Sequence, residues 1–175
     1  MKLVVHWVTG ALFLAILSGC VSPQLYVSTP PEQTEPIKTI ALAPNGGVLA
    51  DAVGFELMKY GYGVFDTAQV SSLMVRVNLS EIEISEPQNL LKLKNNGIDG
   101  VLQIRTVAGY DGRPQSASVK IISTATGRIV VGATWQNGRH GRQGSMADQD
   151  ARVDVAVAAR QITKGLADAI RGQQH

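Results

Sequence analysis

From Ile37 onward, apolar side chains recur in two rhythms, every second residue over short runs and every third or fourth over longer ones, and their succession lays out a fold. Ile37-Lys38-Thr39-Ile40-Ala41-Leu42-Ala43 alternates at Ile40 and Leu42 and is closed by Pro44-Asn45-Gly46-Gly47, which marks a strand and a turn. Leu49, Val53 and Leu57 then fall at four-residue spacing, Ala52 and Tyr60 widen the stripe, and Gly61 supplies a C-terminal stop, so a helix is expected. Tyr62-Gly63-Val64-Phe65 reads as a short strand, after which Asp66 or Thr67 can cap a second helix carrying Val70, Leu73, Met74 and Val77. Val75 to Ile84 fits either rhythm, because Val75, Val77 and Leu79 also alternate. Ser85-Glu86-Pro87-Gln88 has the spacing of a capping box with an early proline, which predicts a helix over Glu86 to Asn96 ending at Gly97.

The next three runs are the most regular. Leu102, Ile104 and Thr106 alternate with Gln103 and Arg105; Ala117, Val119 and Ile121 with Ser118 and Lys120; and Ile129, Val131, Ala133 and Trp135 form a third apolar face. Asp111-Gly112 and Ala125-Thr126-Gly127 are turn sequences, so these strands form an antiparallel meander. Asp148 to Arg171 closes the chain as one helix, with Ala151, Val155, Ala159, Ile162, Leu166 and Ile170 on the apolar stripe and Arg152, Lys164, Asp168 and Arg171 elsewhere around it. Ser145 and Asp148 suit its start. The order β-α-β-α-(α)-β-β-β-α predicts an α/β fold, a two-layer sandwich with a mixed sheet of about five strands packed with helices.

A different pattern precedes this domain. Lys2 is followed by a run without acidic residues through Val4, Val5, Trp7, Val8 and Ala11 to Leu17, ending in small Ser18 and Gly19 before Cys20, the chain's only cysteine. A positive start, an apolar centre and a small-residue end are the parts of a secretory signal. A membrane-spanning helix needs about 20 apolar residues, whereas this run is interrupted by His6, Thr9 and Gly10. Leu17-Ser18-Gly19-Cys20 resembles the bacterial lipobox. That resemblance implies a diacylglycerol on the Cys20 sulfur, cleavage before Cys20 and an acyl chain on the new amino group. Several acyl chains anchor a protein stably where one does not. The residue after the cysteine is Val21 rather than the aspartate that favours inner-membrane retention in enterobacterial lipoproteins, which implies the periplasmic face of the outer membrane.

Three segments follow: a signal peptide over 1–19, the lipidated Cys20 with a Pro-rich tether over 20–36, and a single periplasmic domain over 37–175. Pro23, Pro30, Pro31 and Pro36 stiffen the tether towards polyproline II, with a reach of at most about 50 Å. The alternative is that Leu25, Tyr26 and Val27 dock on the domain as an edge strand, which shortens that reach. Without Lys2 the mature chain carries 15 basic and 14 acidic side chains, so there is no basic field to invite nucleic acid. Its single cysteine leaves no disulfide, and a composition 45% hydrophobic must supply the core instead.

The domain resembles a group comprising the curli-secretion lipoprotein, the TolB amino-terminal domain and lipoprotein activators of penicillin-binding proteins. The likeness rests on Ile40-Ala41-Leu42-Ala43-Pro44, Gly61-Tyr62-Gly63-Val64, Gly97-Ile98-Asp99-Gly100-Val101-Leu102 and Ala125-Thr126-Gly127-Arg128-Ile129. These motifs are structural: Gly61 and Gly97 end helices, Gly127 turns a hairpin, and Asp99 caps or turns at a strand entry.

Little in the sequence points to catalysis. Only His140 and His175 remain in the mature chain, and no metal-ligand spacing, phosphate loop or Gly-x-Ser-x-Gly elbow appears. No catalytic residue, metal or cofactor is therefore expected beyond the lipid on Cys20. One stretch stands out: Asn137 to Met146 sets Arg139, His140 and Arg142 among three glycines. It reads either as a basic loop for an anion or an acidic partner, or as a mobile connection that needs glycine to turn and charge to stay soluble. The expected function is a non-enzymatic, membrane-anchored adaptor or regulator that binds another envelope protein. The alternative is a subunit of a homo-oligomeric envelope or secretion assembly.

Overall fold

The structure is a computed structural model and describes residues 21–30, 36–79, 84 and 86–173. Cys20 and the signal sequence lie outside these residues, as does Ser85 of the expected capping box.

Six strands form one sheet: β1 (Gln24–Ser28), β2 (Thr39–Leu42), β3 (Gly63–Phe65), β4 (Gly100–Ala108), β5 (Pro114–Ser123) and β6 (Ile129–Gln136), in the spatial order β1-β6-β5-β4-β2-β3. The expected meander is present as the antiparallel pairs β4–β5 and β5–β6, while β2 runs parallel to both β3 and β4, so the sheet is mixed. The helices are α1 (Gly47–Lys59), α2 (Thr67–Arg76), α3 (Pro87–Asn95), α4 (Met146–Ala151) and α5 (Val155–Gly172). The class is the one read from the sequence, and the elements from β2 to β6 follow the expected order, with six strands in place of about five.

Strand alternation sends Ile40, Leu42, Leu102, Ile104, Val119, Ile121, Val131 and Trp135 to one face, where they pack with Leu49, Val53 and Leu57 of α1 and Ile162 and Leu166 of α5. The intervening Ala41, Ala43, Val101 and Ile122 face the other way and pack with α2 and α3 through Val70, Leu73, Leu90 and Leu93. Helices thus cover one face fully and the β2 end of the other. Trp135 is fully buried, and its Nε1–H donates to Gln161 Oε1 at 2.8 Å, which satisfies the indole. Asp66 caps α2 in a full capping box with Gln69, whereas α3 starts at Pro87 after Glu86 with no side-chain cap bond. Asp99 Oδ2 accepts from the Lys38 and Thr39 N–H groups at 3.1 and 3.0 Å, fastening the entry of β4 to that of β2.

Two expectations change. Residues 24–28 form β1, paired antiparallel with β6 from Gln24↔Gln136 to Ser28↔Gly132, so this part of the expected tether belongs to the sheet. Leu25 supplies the reason, since it packs into the core beside α5 while Tyr26 on the opposite face stays exposed. The final helix is also divided. Arg152, Val153 and Asp154 leave helical geometry between α4 and α5, and Asp154 Oδ1 caps α5 by accepting from Val157 N–H at 2.8 Å. Arg152 is therefore not on a solvated helix face; it is 6% exposed.

Candidate functional site

The stretch that stands out in the sequence lies where β6 ends. Asn137 is buried and fully bonded: its Nδ2 donates to the Pro114 and Val153 carbonyls at 2.7 and 3.0 Å, and its Oδ1 accepts from Gly138 and Val153 N–H, each at 2.9 Å. Gly138 follows, and a Cβ there would sit 2.4 Å from the Ala151 carbonyl oxygen and 2.9 Å from that of Val21. Only glycine lets the three backbones meet. Arg139 then exchanges two backbone hydrogen bonds with Val21, 3.1 Å from Val21 N–H and 2.9 Å from Arg139 N–H. The first described residue of the chain is thus stitched to the centre of the basic loop.

From there the chain turns through Gly141 and Gly144, both at positive φ, into Ser145, whose Oγ caps α4 by accepting from Asp148 N–H at 3.2 Å. Asp148 is buried and accepts from Tyr110 O–H at 3.0 Å and Gly144 N–H at 3.1 Å. Its carboxyl is held below the usual range chiefly by the Gly144 N–H, then by Tyr110, the His140 backbone and nearby Arg152, against the opposing effect of burial. The Tyr110 hydroxyl is raised by its surroundings, first by burial and then by the bond to Asp148.

Arg152 completes the cluster. Its Nε lies 3.0 Å from Asp111 Oδ2, its Cζ stands 5.1 Å from the Tyr110 ring centroid, and Gly109 makes room for it, since a Cβ there would collide with Nη2. Arg113 Nη1 donates to the Gln149 and Arg152 carbonyls at 2.9 and 2.8 Å. The tip of the β4–β5 hairpin therefore clamps the α4–α5 junction.

Two adjoining cavities of about 160 Å³ each open here. One is lined by Gln115, Ser116, Gln136, Asn137, Gly138, Arg139 and Arg152, and the other shares Gln115, Arg139 and Arg152 and adds Gly141, Gln143 and Asp148. Arg152 Nε is paired with Asp111, and the buried Nη2 has no hydrogen-bond acceptor among the described residues. Of the sequence candidates, exposed Arg139 lines both cavities. His140 lines a separate groove of about 420 Å³ with Val21, Pro23, Ala147 and Ala151. Arg142 is exposed and lines neither cavity. The residue the sequence reading missed is Arg152. Its signal was Asp154, a good N-cap two positions later, which marks a new helix start. Cys20 falls outside the described residues. Among the described residues no group of three or more His, Cys, Asp or Glu could hold a metal ion, and no helix is long and apolar enough to cross a membrane.

A second surface was not anticipated. Helix α1 buries Leu49, Val53 and Leu57 but turns Val48, Phe55 and Met58 outward, 73%, 68% and 57% exposed. Phe55 and Met58 border a groove of about 260 Å³ that runs to Val64 of the edge strand β3, to Asp66, the cap of α2, and to Gln69 of that helix. Exposed apolar side chains grouped in this way mark an interaction surface more often than isolated ones do.

No family model and no curated protein sequence matches the chain. Among solved structures, it is similar to a PelC dodecamer variant from Paraburkholderia phytofirmans at 14% identity and a TM-score of 0.46, over 82% of this chain and 98% of that one. A second PelC dodecamer from the same organism aligns at 17% identity and 0.42, over 79% and 96%. Lipoprotein GNA1162 from Neisseria meningitidis aligns at 19% identity and 0.45, over 74% and 94%. Likeness at this distance assigns neither a family nor a function to the chain.

Proposed function

We propose that this protein is a lipoprotein anchored through Cys20 at the periplasmic face of the outer membrane, where its α/β domain binds another envelope protein as a non-enzymatic adaptor or regulator. The observation that carries the binding role is the outward-facing Val48, Phe55 and Met58 on α1 beside the open edge of β3. Burying one such side chain contributes about 1.5–3 kcal/mol, so three of them with a strand edge give a partner enough to hold. The anchor rests on Leu17-Ser18-Gly19-Cys20. Against catalysis stands the cluster chemistry: Asp148 is kept ionised by donors already bonded to it, and Arg152 is paired with Asp111, so neither is poised to give or take a proton.

A second reading, a subunit of a homo-oligomeric assembly, is favoured by the two open sheet edges, β1 and β3, lying at opposite ends of one sheet. Unlike surfaces that join head to tail generate rings.

In-cell crosslinking of the wild-type chain and of Phe55→Ser, followed by purification from membranes and mass spectrometry, tests these readings. The adaptor reading expects one dominant foreign protein that Phe55→Ser loses. A ladder of self-multiples overturns it in favour of the assembly. Processing is tested apart by intact mass: Cys20→Ala is expected to accumulate as uncleaved or mislocalised precursor, and normal processing without lipid sinks the anchor.

A further inference from the structure

We infer that the cation-lined cavity at the end of β6 is a seat for the phosphate of an anionic phospholipid headgroup, and that it sets the domain's orientation on the bilayer; this rests on the anchoring of Cys20 proposed above. The juxtaposition is covalent in origin. Val21 is fixed to Arg139 by two backbone hydrogen bonds, and in the sequence it directly follows Cys20, the proposed point of acylation. Lipid attached there brings the membrane surface to the Arg139 loop, with no slack in the chain between them.

What waits at that point is a set of donors. Arg139 and Arg152 line the cavity together with Gln115, Ser116 and Gln136. Arg152 is nine-tenths buried, its Nη2 has no acceptor among the described residues, and Asp111 meets it at Nε. Guanidinium groups with undirected N–H bonds are the side chains best matched to phosphate oxygens. A volume of about 160 Å³ falls below the roughly 300 Å³ at which small-molecule sites begin, so the cavity takes a charged group and not a whole metabolite. Of the carboxylates nearby, Asp111 is paired with Arg152 Nε, and Asp148, which lines only the second cavity, is occupied by Tyr110 O–H and Gly144 N–H. Arg142, exposed on the same loop, adds a further positive charge.

The test uses the mature chain from residue 20 onward, which retains every described residue and one cysteine. Coupling Cys20 to a maleimide lipid in vesicles supplies the anchor whether or not cells lipidate it, so this result stands apart from the intact-mass test of the lipobox. Amide hydrogen exchange over residues 139–143 is compared on vesicles with 30 mol% phosphatidylglycerol and on pure phosphatidylcholine, with sn-glycerol 3-phosphate in solution as a third arm. The expected result is exchange slowed on the anionic vesicles by about fivefold per arginine engaged, reversed by Arg139→Gln with Arg142→Gln and by 0.5 M salt. Equal exchange on both vesicles overturns the proposal. So does slowing by glycerol phosphate alone, which makes the cavity a site for a free anion.

Discussion

Asn137 and Val153 exchange two hydrogen bonds, 3.0 Å from the Asn137 amide to the Val153 carbonyl and 2.9 Å from the Val153 N–H to Asn137 Oδ1, as two paired strand residues would. A side chain thereby extends the sheet sideways into the α4–α5 junction. Asn137→Ala removes four bonds at once and strands the Pro114 carbonyl and the Val153 N–H. A loss of about 2–3 kcal/mol is expected, seen as a lower urea midpoint at unchanged slope.

Gly138→Ala pushes a methyl against two carbonyl oxygens, those of Ala151 and Val21, neither of which can rotate away as a side-chain end would. The expected cost is about 1–3 kcal/mol. Its signature is local: the Val21 and Arg139 amides should exchange much faster while the centre of β5 stays protected. Equal loss of protection throughout would mean that the N-terminal segment is not held by this contact.

The seat of Arg152 depends on the bare backbone at Gly109, so Gly109→Ala and Arg152→Gln attack one arrangement from two sides. Each is expected to lower Tm, and the double variant to fall short of their sum by about 1 kcal/mol or more, since an arginine already gone cannot be displaced again. Simple additivity would contradict the coupling.

A pH dependence follows from Asp148. Its pKa in the folded protein lies below the ordinary aspartate value near 4, so its contribution is present in full above that value and is lost as pH falls through the folded pKa. The groups facing it are the Gly144 and His140 backbone, Tyr110 and Arg152. Asp148→Asn should melt below wild type at pH 7, and the gap should close as the pH is taken below about 4. A gap that is constant with pH would assign the effect to packing rather than charge.

How much of this was legible depended on how strongly each segment repeats. In β5, Ala117, Val119 and Ile121 face the core between exposed or half-buried Ser118 and Lys120, and such alternation has one interpretation. β1 has a single inward anchor in Leu25 and prolines on both sides, so composition spoke for a linker while pairing with β6 decided otherwise. The second core face was harder to see because two of its residues at β2, Ala41 and Ala43, are small and carry little periodic weight beside Val101 and Ile122. Arg152 illustrates the limit most clearly. The residues that bury it, Tyr110 and Asp111, lie about forty positions away, and no local pattern announces a hairpin tip arriving from that distance.

The stitch between Val21 and Arg139 has a mechanical consequence. Many lipoproteins hold their folded part on a flexible leash that explores a hemisphere of solvent; under the proposed lipidation of Cys20, the chain here is tied to the domain at the very next residue, Val21. A body fastened through that proposed anchor would behave as a post on the membrane, with its far end no further out than the fold is tall. A partner of the proposed Phe55 and Met58 surface would then have to come to that fixed height, so geometry alone would screen partners before any side chain is read.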